Sequence, residues 1–174
     1  MVISIVAYSK VLITFSIPTM DKKRLLQEII ARVKHDAEKM LASAKATHAE
    51  ATAEENKAEN KYDTRGLEAS YLAEAQGRQA EEAEANVVKF EALKLRDYSE
   101  SDRIGLGALV GVEIGGFRDL YFLGPGAGGI EIEIDDEECT IVTIDSPMGS
   151  RLYEAKLAGT FDMNGRAAKI VSLR

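Results

Sequence analysis

Tryptophan is absent from this 174-residue chain, and aromatic residues make up only 6% of it. So thin an aromatic supply argues against a platform for stacking nucleic-acid bases. There is one cysteine, Cys139. A lone thiol excludes an intramolecular disulfide and a Cys-rich zinc site. It lies in the run CTIVTI and reads as a small apolar core residue. Two histidines, His35 and His48, are too few for most histidine-ligated metal sites. Basic charge is also short: 22 Lys and Arg stand against 29 Asp and Glu, a formal net charge of -7. Coating nucleic acid by charge needs a basic face, so that class is disfavoured. No uncharged apolar run reaches the length of a membrane helix, so no membrane partner is expected. What remains is an ordinary soluble balance, 45% hydrophobic and 29% charged.

Proline is scarce too, and its placement divides the chain. The 3 prolines are Pro18, Pro125 and Pro147. Between Met20 and Leu93 only Gly66 and Gly77 interrupt, whereas most glycines follow Arg103. Two bodies of different kinds are expected. Residues 1–19 (MVISIVAYSKVLITFSIPT) precede them as an N-terminal tail. Lys10 sits in its middle and SIPT is a poor cleavage site, so it does not read as a signal peptide. Met20 followed by DKKRLLQEI looks like a natural start, and an over-extended start codon explains the tail. A weak membrane anchor is the alternative.

Residues 21–59 predict a first helix, with Asp21 as its cap. Leu26, Ile30, Val33, Ala37, Met40, Ala44, Thr47 and Ala51 recur at alternating steps of four and three, which makes a heptad seam. Residues 66–94 predict a second helix, with a stripe of Ala69, Leu72, Ala80, Ala83, Val87 and Phe90, interrupted by the polar Gln76. A short segment around Asn60–Gly66 would join them into an antiparallel hairpin. The large apolar residues then meet at its base, and the Ala-rich, acid-rich ends form its tip. The coiled-coil hairpin is expected over 20–95 and a polar linker over 96–103.

Beyond the linker the period changes to that of strands. Leu106–Val112, Asp119–Leu123, Ile130–Ile134, Cys139–Ile144 and Ala167–Leu173 are short aliphatic runs between Gly clusters or acidic turns. Ser146–Ala155 reads as a short helical turn with Pro near its start. Residues 104–174 are thus a small β-rich domain, and the chain belongs to the α+β class.

Few residues carry obvious chemistry. Gly124–Gly129 (GPGAGG) lacks the Lys-Ser/Thr of a phosphate loop and reads as a connection between strands. His35 and His48 fall in the long helix, away from the β domain, so no Ser-His-Asp arrangement is supported. No nucleophile–base pair is visible, and the chain is not expected to be an enzyme. Glu54, Glu55, Glu59, Asp63 and Glu68 gather carboxylates at the tip. Such acids read either as a solvated hairpin end or as a pair able to share a Mg²⁺ ion with a partner.

A long hairpin with an acidic tip, followed by a β domain with an S-P-x-G-x-x-L segment, resembles the bacterial Gre transcript-cleavage factors. Ser146, Pro147, Gly149 and Leu152 match that segment, with Thr143, Ile144 and Asp145 before it. Leu67-Glu68-Ala69-Ser70-Tyr71 resembles the family's tip string E-N-A-E-Y. The resemblance covers about residues 21–174 and implies an FKBP-like C-terminal domain. It also implies RNA polymerase as partner, with the hairpin in the enzyme's secondary channel and nucleic acid met only through the polymerase. The protein would be cytoplasmic and have no cofactor of its own, sharing at most the polymerase's Mg²⁺.

The tip departs from the family pattern. Aligned on Tyr71, the family's two acids fall on Thr64 and Leu67, neither of them acidic. Asp63 and Glu68 are the nearest carboxylates, spaced by five rather than three. They are the expected Mg²⁺-positioning pair, with Glu59 third and with Leu67 and Tyr71 shaping the tip. Ser146, Pro147 and Gly149 are expected to build a turn. Two other readings stay open: a polymerase-channel regulator without cleavage activity, and a coiled-coil adaptor for another helical partner.

Overall fold

The computed structural model describes residues 20–52 and 65–174. Two long helices come first, α1 (Lys22–Thr52) and α2 (Arg65–Glu91). Six strands follow: β1 (Leu109–Ile114), β2 (Phe117–Leu123), β3 (Glu131–Ile134), β4 (Glu137–Val142), β5 (Thr160–Met163) and β6 (Arg166–Leu173). A short helix, α3 (Pro147–Leu152), lies between β4 and β5. The chain is therefore α+β, as its sequence indicates. The N-terminal tail, Glu59 and Asp63 lie outside the described residues.

Asp21 starts α1 as expected, its Oδ1 accepting the Lys23 backbone N–H at 2.8 Å. At 1.5 Å per residue the 31 residues of α1 extend about 46 Å. Gly66 lies inside α2 rather than in the turn.

The seam also differs from expectation. Leu25 and Ile29 are fully buried, while Leu26 and Ile30 are only partly so. The foot of α1 meets the sheet as well as α2, so its apolar face is wider than a two-helix seam. On α2 the inward residues are Ala69, Ala73, Gln76, Ala80, Ala83, Val87 and Phe90. Leu72 points away at 54% exposure, and Met40 is 44% exposed. Unbroken steps of four and three put Ala73 and Gln76 in the seam. Choosing the larger Leu72 departs from that spacing.

The sheet order is β3-β4-β2-β1-β6-β5. All neighbours are antiparallel except β2 and β4, which run parallel. Three connections are two-residue turns with positive φ at both positions: Gly115-Gly116, Asp135-Asp136 and Asn164-Gly165. That is the backbone shape whose twist suits a tight hairpin. β5 has no counterpart among the expected strands.

Both faces of the sheet are covered. On one, Leu109, Leu120, Phe122, Ile132, Ile134, Cys139 and Ile141 form a single core with Met20, Leu25, Ile29, Val33 and Phe90 from the hairpin base. On the other, Val110, Val112, Leu123, Val142, Ala168 and Ile170 pack with Ile104, Ala108, Met148 and Leu152. Period-two alternation divides β1, β2 and β4 between these cores; in β2, Leu120 and Phe122 face the hairpin and Leu123 faces α3.

Candidate functional site

The Ser146 segment forms a tightly closed turn. The Ser146 hydroxyl donates to the Thr143 carbonyl at 2.7 Å and accepts the Gly149 backbone N–H at 3.0 Å. It is thus the N-cap of α3, with Pro147 following at the first helical position. Gly149 is needed for space: a Cβ there would run into the Thr143 carbonyl. Met148 and Leu152 point into the core. Serine caps, proline starts, glycine clears the preceding carbonyl and leucine anchors. Each matched residue of the segment therefore has a structural duty.

The glycine-rich loop lies between β2 and β3, and its glycines admit α2. A Cβ on Gly124 would stand 2.9 Å from Phe90 Cζ and 2.9 Å from Ile141 Cγ2. A Cβ on Gly126 would collide with the Asn86 side chain. Backbone bonds hold the loop to β4: Gly124 N–H to the Val142 carbonyl at 2.9 Å and Gly129 N–H to the Ile141 carbonyl at 2.8 Å.

Beside this joint a cleft of about 790 Å³ opens between α2, the glycine loop and the Ser146 turn. Glu82, Asn86 and Lys89 line one wall, and Thr143, Asp145 and Met163 the other. The sequence reading did not find this cleft. Its signal is the pairing of a small-residue loop with a polar stretch of α2, and that pairing emerges only when the two elements meet.

At the far end of the hairpin, Leu67, Glu68 and Tyr71 occupy the opening turns of α2, all exposed. Tyr71 is 62% exposed. Glu59 and Asp63 lie outside the described residues, so Glu68 is the described carboxylate of the expected pair. Mg²⁺ accepts one or two carboxylates and keeps its other positions for water or a partner's groups. Glu68 fits a contributor to a shared ion but makes no cage alone. Among the described residues, no three His, Cys, Asp or Glu side chains converge as a metal cluster.

A second joint fixes the linker to the hairpin foot. The Lys22 ammonium donates to the Arg96 carbonyl at 2.5 Å. It lies 5.0 Å from the Tyr98 ring centroid, and the Arg96 guanidinium lies 4.1 Å from it. The Tyr98 hydroxyl donates to the Leu106 carbonyl at 3.0 Å. Burial lowers the Lys22 pKa, and Asp97 opposes that shift. Burial pushes the Cys139 thiol up to about 12, which leaves it protonated and inert. No described helix is long and apolar enough to cross a membrane.

These features define an α+β protein with a helical hairpin rooted on a six-stranded sheet. No family model and no curated protein matches the chain. Among solved structures it is similar to GreA factor homologue 1 (Gfh1) of Thermus thermophilus, at 18% identity and a TM-score of 0.34, over 90% of this chain and 96% of that one. A structure of the transcription factor Gfh1 has 19% identity and a TM-score of 0.35, over 83% and 92%. Gfh1 of Thermus aquaticus has 18% identity and a TM-score of 0.34, over 87% and 93%. The α+β assignment rests on the chain's own elements.

Proposed function

We propose that this chain is a Gre-like transcription elongation factor that binds bacterial RNA polymerase through its secondary channel. The observation that carries the reading is the rooted hairpin. Leu25, Ile29, Val33 and Phe90 share one core with the sheet, so the β domain holds the base of a long, narrow rod. Such a body can dock by its β domain while the rod reaches a buried site. The Ser146–Leu152 turn adds support, because the segment that resembles the family forms a complete capped unit here. The factor is no enzyme of its own. At most it lends Asp63 and Glu68 to a Mg²⁺ ion of the polymerase and stimulates cleavage of backtracked RNA. This role belongs in the cytoplasm.

Binding to purified RNA polymerase is the first test, and cleavage in stalled, backtracked complexes is the second. Cleavage that disappears in Asp63→Asn with Glu68→Gln supports the active reading. Binding without cleavage leaves a channel regulator, the outcome that the five-residue spacing of the acids favours. Failure to bind overturns both and leaves the adaptor.

A further inference from the structure

We propose that the hairpin contains a built-in break at Gln76-Gly77, beyond which its distal part opens while the base stays paired. Two neighbouring residues lower the stability of this one turn. Gln76 occupies a seam position, and its side-chain Oε1 is buried with no hydrogen-bond partner among the described residues. An unpaired buried acceptor is destabilising. Gly77 follows it inside α2, where glycine is the poorest helix former after proline. At Gly124, Gly126 and Gly149 a Cβ would strike a neighbour, but at Gly77 it would meet nothing within 4 Å. Alanine would fit there, so the glycine weakens the helix without enabling a close approach.

The turn lies within the part of the seam built from small residues, which on α2 begins at Ala83 and Ala80. On the base side lie Val87 and the fully buried Phe90, opposite Leu25, Ile29 and Val33. On the tip side α2 offers only Ala69 and Ala73, while the larger Leu67, Tyr71 and Leu72 are turned outward. Alanine buries little surface, so little apolar burial opposes separation there.

Hydrogen exchange of the full chain, read by mass spectrometry, tests this. Amides of 41–52 and 67–76 should exchange at least about tenfold faster than those of 26–36 and 80–91, with a step at the Gln76-Gly77 turn. Gly77→Ala should slow the distal amides roughly fivefold, the helix-propensity difference between the two residues. Gln76→Leu should slow them as well. Basal amides should be unchanged in both variants. A smooth gradient toward the tip in the wild type would mean simple fraying and overturns the break. Equal slowing along the whole hairpin, or no slowing in either variant, overturns it too. The measurement uses no polymerase, so it stands or falls apart from the proposed function.

Discussion

Phe90 closes directly over Gly124: the ring edge lies where a side chain at 124 would begin, 2.9 Å from an ideal Cβ. Phe90 is fully buried by this contact and its neighbours. Helix α2 and the loop after β2 therefore meet backbone to ring.

Gly124→Ala is expected to destabilise the fold by about 1–3 kcal/mol, the usual range for overpacking. Urea unfolding would register this as a lower midpoint at unchanged slope. An unchanged midpoint would mean that Phe90 does not lie this close.

Substitutions in the capped turn should be graded. Ser146→Ala removes the cap of α3 and should cost about 1 kcal/mol. Gly149→Ala should cost more, because its Cβ meets the Thr143 carbonyl rather than a movable side chain. Thermal unfolding of the two variants gives the order, and the reverse order would contradict the turn geometry.

The outward Leu72 and the inward Ala80 make a paired test of the seam. Leu72→Gln should change stability by no more than about 0.5 kcal/mol, as surface substitutions do. Ala80→Gln places an amide in a site that is only 3% exposed, and should cost about 1–3 kcal/mol. Denaturant titrations compare them, and equal effects would return Leu72 to the interface.

Cys139 should resist thiol reagents at pH 8 in the native protein and react once urea unfolds it. Burial pushes its folded pKa up to about 12, well above that of an exposed thiol. Below about pH 7.5 the thiol is largely protonated in both states and contributes little pH dependence. As pH rises past 9 the unfolded thiol ionises first, so stability should fall with alkalinity. Cys139→Ala should flatten that part of the pH profile relative to wild type. Equal alkaline slopes would show that other groups cause the loss.

The sequence makes the α+β class and the hairpin legible, because helical and strand periods occupy separate stretches. Long helices announce themselves through many repeats. The exact seam is harder to read, since Leu26 and Ile30 keep heptad spacing while Leu25 and Ile29 serve a second surface, the sheet. Strand β5 has a weak aliphatic signal, and only Asn164-Gly165 marks the tight hairpin that it forms with β6. The parallel pairing of β2 with β4 leaves no local trace, because β3 lies between them in the chain and outside them in the sheet. At the candidate site, Ser146, Pro147 and Gly149 are readable because capping is local. The cleft beside them is formed by α2 meeting a distant loop, so it could not be read from either segment alone.

The shared core of hairpin and sheet also orders events during synthesis. Leu25 and Ile29 leave the ribosome long before Cys139 and Ile141, yet they share one cluster with them. The helices can pair as soon as α2 has emerged, since that contact is local along the chain. Their base stays uncovered until β4 has been made. For that interval the nascent chain carries an open apolar foot, the part of the molecule on which a chaperone would act.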